Sequence, residues 1–407
     1  MKASTLTNSV AAIHADIKSA DRFEGIWPIP RGVSLNSYVV RGEKTALIDL
    51  LKDWDGSVGQ FEEQLSSLGL SFETIDFLIL NHLEPDHTAF LTELRKRNPS
   101  VRIFATEKGA AMVRNFFKIT DNLQAVKTGD ELDLGGGKKL VFTEAPNLHW
   151  PETMVTYDPG DKILFSCDAF GSYGSLGGKV FDDQLTEAEH AVFEEECIRY
   201  YANIVASFSM FVKKAVESLS ALDIRIVAPS HGIIWRKNPQ EIIRRYAKYA
   251  GYNTGSAPEK EICVIWGSMY GYTKLGLDAV LEGIAAEGVP VRVHRVPDDD
   301  ASFVLADAYA AAGIVLAMPT YEYKMFPPAA HILDLFARKH FTGKTALRIG
   351  SWGWIGGAQK EYEEKTAGLK WNHLPACEWQ GIPSAEDLAT LRERGRELAA
   401  AVKGSGV

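Results

Sequence analysis

Asn81-His82-Leu83-Glu84-Pro85-Asp86-His87, NHLEPDH, is the stretch on which the reading of this chain turns. It follows an apolar run, DFLIL (Asp76 to Leu80), whose length and composition read as a buried strand. Two imidazoles and two carboxylates therefore crowd onto the loop that ends a core strand. In an extended loop, residues two apart face the same way, so His82 and Glu84 form one pair. Asp86 and His87 can turn toward a second point. Two points with two ligands each describe two metal ions better than one.

Each ion needs further ligands, and other strand ends offer them: His149 in NLHWPET, Asp168 in FSCDAFG and His231 in APSHGII. All three follow apolar runs, where loops gather on one edge of a sheet. A carboxylate has two oxygens, so Asp168 can bridge two ions at the separation of roughly 3.5–4 Å usual in dinuclear sites. The competing reading makes these groups loop carboxylates and helix caps, with Asp86 capping the helix of TAFLTELRKR. Ligand-type residues at four strand ends favour the metal. His14, His190, His294, His331, His340 and His373 lack such company and read as surface or satisfied core histidines. Glu144 and Glu152 lie close to His149 in sequence, but glutamate is common at strand ends. Trp150 reads equally as a shield for the site or as packing.

At 407 residues the chain is long for one core, and two domains are expected. Its 46% hydrophobic and 24% charged residues are ordinary for a soluble globular protein. The net charge of -9 argues against nucleic acid or an anionic membrane as the main partner. No apolar run approaches a membrane span. The opening MKASTLTNSVAAIHADIKSADRF lacks the features of a signal peptide. Four scattered cysteines (Cys167, Cys197, Cys263, Cys377) suit a reducing compartment without a disulfide framework, so a cytoplasmic location is expected.

TALIDLL (Thr45 to Leu51), VRIFAT (Val101 to Thr106), KKLVFTEA (Lys138 to Ala145), ILFSCD (Ile163 to Asp168) and IRIVAPSH (Ile224 to His231) read as further strands, and a long helix is expected over about Glu187 to Leu222. GYNTGSAPEKE (Gly251 to Glu261) has no periodicity and reads as a linker. This sets domains at 1–250 and 261–407, with 251–260 between them. Beyond the linker, strands (EICVIW, VPVRVHRV, AAGIVLAMPTY, KTALRIGSWGW) alternate with helices, which argues for a doubly wound parallel sheet.

WGSMYGYTKLG (Trp266 to Gly276) ends the first of these strands and opens a helix. Ser268 and Thr273 hydroxyls and backbone N–H groups around Met269, Tyr270, Gly271 and Tyr272 suit a terminal phosphate at a helix start. The loop is neither a Walker loop nor a dinucleotide Gly-x-Gly-x-x-Gly; a plain capped helix start is the competing reading. Two more strand-end loops stand at the crevice where doubly wound sheets bind ligands. One carries Pro319, Thr320, Tyr321 and Tyr323, the other Ser351, Trp352, Gly353 and Trp354. Aromatic faces beside a phosphate cradle suit a flat ring such as a flavin.

The pattern His-x-Glu-x-Asp-His, followed by His149, Asp168 and His231, resembles the flavodiiron proteins, and SMYGYT is similar to the Ser-Met-Tyr-Gly-Asn-Thr loop of flavodoxins, with Tyr272 in place of Asn. The resemblance spans nearly the whole chain. It implies an αββα metallo-β-lactamase-like sandwich followed by a flavodoxin-like FMN domain. It also implies that His82, Glu84 and His149 hold one iron, that Asp86, His87 and His231 hold the other, and that Asp168 bridges. Lactamase-fold hydrolases carry a second His where this chain has Glu84, and an added carboxylate suits iron better than zinc. Tyr201, in RYYANI, resembles a tyrosine that the family places near the metals.

The implied activity is reduction of dioxygen to water, of nitric oxide to nitrous oxide, or both, as detoxification in an anaerobe. The implied assembly is a head-to-tail homodimer, possibly a dimer of dimers. No Cys-x-x-Cys pair follows the flavodoxin-like half, so the electron donor is expected to be a separate rubredoxin or a reduced deazaflavin. The runner-up is a zinc hydrolase of the lactamase fold with a regulatory flavodoxin module; a pure electron carrier with a vestigial metal site is a third reading.

Overall fold

A computed structural model describes residues 2–18, 21–175 and 177–404. They form two compact units, Met1–Tyr200 with Met210–Ala247, and Tyr201–Ser209 with Lys248–Val407.

The first unit contains a seven-stranded sheet in the order Ser4–Thr5, Val10–Ile17, Val33–Arg41, Thr45–Ile48, Phe77–Ile79, Arg102–Thr106, Leu123–Val126. A five-stranded sheet, Glu131–Gly135, Lys138–Glu144, Met154–Asp158, Ile163–Cys167 and Ile226–Pro229, supplies the other layer. One apolar core joins them: Ala46, Ile48, Phe77, Ile79 and Phe104 from the first sheet meet Phe142, Met154, Ile163, Phe165 and Ala228 from the second. Each large side chain fully withdrawn from water here contributes roughly 1.5–3 kcal/mol. Helices Ser57–Ser67, Leu91–Arg97 and Glu107–Phe117 alternate with the parallel strands of the first sheet. Such strands are buried on both faces and read as unbroken apolar runs, which is why DFLIL is visible in the sequence.

Strand direction then sets the position of the loops. Phe77–Ile79 is parallel to both of its neighbours. In the second sheet, Ile163–Cys167 runs parallel to Ile226–Pro229. Lys138–Glu144 runs the same way, because two antiparallel pairings separate it from Ile163–Cys167. The loops bearing His149, Asp168 and His231 thus leave one edge of that sheet. Fully buried Asn81 ties the first sheet's ligand loop to that edge. Its carbonyl accepts from Met154 N (2.9 Å), and its side-chain oxygen accepts from Thr156 Oγ1 (2.7 Å).

The sequence reading does not find the strands Val10–Ile17, Val33–Arg41, Leu123–Val126, Glu131–Gly135 and Met154–Asp158. In Val33–Arg41 the polar Ser34, Asn36 and Ser37 interrupt the pattern; they are buried because they hydrogen-bond to other loops. The helix expected over 187–222 is not continuous. Glu187–Tyr200 is α-helical, Tyr201–Val205 forms a π turn, Ala206–Phe208 a 3-10 turn, and Ser209–Leu219 is again α-helical. Widening to i→i+5 bonding re-aims every later side chain. The expected linker is also shorter than 251–260. The helix Pro239–Thr254 continues into it because Tyr249 and Tyr252 are buried, and the next strand starts at Glu259.

The second unit is an all-parallel sheet in the order Val291–Arg295, Glu259–Trp266, Ala311–Ala317, Thr345–Trp352, with Asn372–His373 and Cys377–Gln380 both on the last of these. This is the flavodoxin-like strand order 2-1-3-4-5. Helices Tyr272–Ala286 and Ala385–Gly404 pack through glycines: a Cβ on Gly283 would stand 2.0 Å from Arg392 O, and one on Gly395 2.2 Å from Val280 O.

Lys344 is fully buried in this unit, its Nζ donating to Tyr309 O (2.7 Å) and Ala311 O (2.8 Å) at the C-terminus of helix Ala301–Ala310. Burial lowers its pKa from 10.5 to about 7. Between those values the unfolded chain holds a proton that the folded chain does not, so this lysine makes stability rise with pH across the window, with a limiting slope of about 1.4 kcal/mol per pH unit. Lys344→Met is expected to remove that rise between pH 7 and 10, measured as urea unfolding of the full chain at several pH values.

Candidate metal centre and cofactor cleft

All seven residues singled out as metal ligands meet in the first unit, in two groups: His82, Glu84, His149 and Asp168, and Asp86, His87 and His231, with ligand atoms inside each group within 4.8 Å of one another. In the first group Glu84 Oε2 is 3.3 Å from His82 Nε2 and 3.1 Å from His149 Nε2, and Asp168 Oδ2 is 2.9 Å from His149 Nε2. In the second, Asp86 Oδ2 is 3.1 Å from His231 Nε2 and 3.5 Å from His87 Nε2. Asp168 Oδ1 is 2.8 Å from His87 Nε2 and 3.5 Å from His231 Nε2. Asp168 therefore turns one oxygen to each group.

Local backbone explains the aim. Strand pairing shifts register between Phe165 and Cys167, and Cys167 has φ 53°, so the chain kinks just before Asp168. Pro85–Thr88 forms one helical turn with proline in its first position, which places Asp86 and His87 together. Asp86 does not cap the helix Leu91–Arg97, which begins after Phe90 with no side-chain cap. Both its oxygens and His231 Nε2 are buried without hydrogen-bond partners, although they crowd together. Unpartnered acceptor atoms converging on a shared point fit a cation, and they count against the helix-cap reading.

The charges agree. Burial works against the ionised form of Glu84, but hydrogen bonds from His149 and His82 hold its pKa at about 2. Burial likewise opposes protonation of the imidazoles. Hydrogen bonds to Glu152 and Glu84 nevertheless raise His82 to about 9, and those to Asp168 and Glu84 raise His149 to about 10. The pocket is thus rich enough in anionic oxygen to hold positive charge deep in the fold.

Surrounding groups orient the ligands. Glu152, left aside in the sequence as a common strand-end residue, is buried and its Oε1 accepts from His82 Nδ1 (2.9 Å) and Leu83 N (3.0 Å). The one available signal was its position three residues after His149. The backbone carbonyl of Ser34 accepts from His231 Nδ1 (2.9 Å). Trp150 stands edge-on to His82, with ring centres 5.1 Å apart, so it does line the site. Tyr201 does not. Its hydroxyl pairs with Ser209 Oγ, and its ring lies against Tyr249 and Tyr309 in the second unit. The neighbouring Tyr200 is the one that faces the site, its ring centre 5.9 Å from that of His231. Adjacent residues on a helix point about 100° apart, and only one of the pair can face the metals.

In the second unit a cleft of ≈ 320 Å³ is lined by Ser268, Met269, Tyr270, Tyr272, Pro319, Thr320, Tyr321, Ser351, Trp352, Gly353 and Trp354, with Glu322 and Gly381 besides. Gly271 (φ 91°) precedes helix Tyr272–Ala286, which has no side-chain cap, so the amides of the first turn are left for an outside acceptor such as a phosphate. Thr273 is not on the cleft wall. It is fully buried, with Oγ1 2.9 Å from Ser351 Oγ, and so acts behind Ser351. Tyr323 lies outside the lining, more than half exposed at φ 67°.

A lactamase-type sandwich with a dinuclear ligand set, in one chain with a flavodoxin-type sheet and cleft, defines an electron-transferring metalloflavoprotein. The model of the ODP family beta lactamase matches residues 33–232. The chain is 34% identical over 378 residues to an anaerobic nitric oxide reductase flavorubredoxin of Vibrio vulnificus, covering 92% of this chain and 74% of that protein. Its similarity to the protein of that name from Aeromonas hydrophila is 35% over 376 residues, 91% and 73%. Among solved structures, the rubredoxin oxygen:oxidoreductase of Desulfovibrio gigas superimposes with TM-score 0.92 at 26% identity, covering 99% of both chains. A flavo-diiron protein of Thermotoga maritima gives 0.88 at 28%, covering 99% and 100%. The chain belongs to the flavodiiron protein family and is an oxidoreductase. Membership implies FMN and a diiron centre as cofactors.

Because Asp168 reaches both groups, Asp168→Ala is expected to lower metal content at both positions together while flavin is retained. Metal analysis and the flavin absorbance of the purified variant check this; two irons per chain at full occupancy would refute the bridging role.

Proposed function

We propose that this chain is an electron-fed gas reductase that converts dioxygen to water, nitric oxide to nitrous oxide, or both, in an anaerobe's defence. The observation that carries the reading is Asp168 shared between two half-sites of matched composition, each with two imidazoles and one further carboxylate. His82, Glu84 and His149 would hold one iron, and Asp86, His87 and His231 the other. Bound iron supplies the positions where the gas is reduced, and FMN in the Ser268–Trp354 cleft supplies the electrons. The residues themselves set ligand orientation, through Glu152 and Ser34, and restrict water through Trp150, Tyr200 and Phe23. Glu84 adds an oxygen donor, which favours iron over zinc and so supports this reading over a zinc hydrolase.

The similar proteins are named for both gases, which supports keeping both as substrates. An external donor, a rubredoxin or a reduced deazaflavin, and a head-to-tail homodimer complete the proposal. Metal analysis should find two irons per chain, and anaerobic turnover with each gas should give a finite rate with at least one. Zinc at both positions with no gas consumption would support the hydrolase instead.

For the flavin, Thr273→Val is expected to free Ser351 from its partner and weaken FMN binding by roughly 1.5–3 kcal/mol if the pair serves a charged phosphate, without loss of iron. An unchanged FMN dissociation constant would count against the loop. For the assembly, mixed dimers of Asp168→Ala with a Ser268→Ala/Thr273→Val chain should recover part of the turnover if electrons cross between chains. A verified mixed dimer that stays inactive would exclude that path.

A further inference from the structure

The two half-sites offer matched inner donors but unlike supports behind them. His82 Nδ1 donates to a buried carboxylate, Glu152 Oε1 at 2.9 Å. The same oxygen takes Leu83 N at 3.0 Å, so Glu152 holds both the imidazole and the start of its loop. His231 Nδ1 donates instead to a neutral acceptor, Ser34 O at 2.9 Å. A carboxylate behind an imidazole makes the metal-facing nitrogen more basic than a carbonyl does. Asp49, the other buried acid nearby, gives its Oδ1 to Asn81 N (2.8 Å) and acts on the His87 and His82 rings through space, where Glu152 bonds its ring directly.

The backbone of the loop carrying His231 is held by neutral groups, and Asn36 makes three of the bonds. Asn36 Nδ2 donates to Pro229 O (3.0 Å) and Gly232 O (2.9 Å), on either side of the ligand, and Asn36 N donates to Ser230 O (2.8 Å). Ser34 Oγ and Tyr38 Oη add bonds to Gly232 O (3.1 Å) and Pro229 O (2.6 Å). The loop backs onto a polar cavity of ≈ 10 Å³ lined by His14, Ser34, Asn36 and Gly232 among others, space for about one water. A shortened side chain at position 36 would leave the loop room to shift there.

We propose that the two metal positions load unequally: the Glu152-backed His82–Glu84–His149 position binds first and tightly, while the His231 position binds second and depends on Asn36 as a positioning residue. The inference rests on the dinuclear reading given above.

Titration of metal-free, FMN-loaded full chain with Co2+ under anaerobic conditions tests it, followed by visible absorption and calorimetry. Two steps separated by roughly tenfold or more in dissociation constant are expected. Glu152→Gln keeps an acceptor oxygen and removes the charge, and should weaken the tight step roughly tenfold while sparing the other. Asn36→Leu, and more mildly Asn36→Ser, should weaken the second step alone; retained FMN and an intact tight step show that the variant is folded. Equal affinities in the unaltered protein would overturn the proposal, as would loss of both steps together in Glu152→Gln. Failure of the dinuclear reading looks different: the unaltered chain itself would then take up fewer than two Co2+.

Discussion

The arrangement of the candidate metal centre depends on one carboxylate. Asp168 is buried, ionised, and turned so that each oxygen faces a different pair of imidazoles. An uncompensated charge at that depth would cost several kcal/mol. The fold meets this cost by bringing positive charge to it, on protonated histidines or on cations. What surrounds it answers that need: Glu84 and Asp86 share one loop with His82 and His87, His149 and His231 come from two other loops, and acceptors behind the rings fix them.

Such a site requires loops from two different sheets to meet. A single sheet edge could supply His149, Asp168 and His231, since their strands run in one direction. The NHLEPDH loop comes from the other sheet and has to be joined to that edge. Asn81 does this with hydrogen bonds to Met154 and Thr156, inside the interface where both sheets bury their apolar faces. Burying an amide there is tolerable only because its polar atoms are paired. Asn36 solves the same problem from the strand Val33–Arg41 for the loop bearing His231.

The second unit follows a simpler rule. A parallel sheet with its order reversed beside the strand Glu259–Trp266 leaves a crevice at the carboxyl ends of its strands, and the loops that end them line it. No charged network is needed to open that cleft. Backbone amides at an uncapped helix start and exposed aromatic rings are enough to suit a flat, phosphorylated ligand.

These differences decide what could be read from the chain directly. The clustered side chains were legible because metal binding demands particular residue types, and because strands buried on both faces announce themselves as apolar runs that end where the clustered residues begin. The alternation of strands and helices after Glu259 was legible for the same reason. The sequence by itself therefore picked out the seven side chains that meet in two groups, the order of the two units and most of the residues that line the cleft. Tertiary structure alone decided which neighbour faces the site. Tyr200 rather than Tyr201 does so, because neighbours on a helix point about 100° apart and it is Tyr200 that turns toward His231. Thr273 stands behind Ser351 because its helix position is buried. Glu152 and Asn36 acquire their roles only from partners 70 and 193 residues away in the chain. Periodicity reports which face of an element is apolar. It carries no information about polar contacts that form only when distant strands are brought within hydrogen-bonding distance.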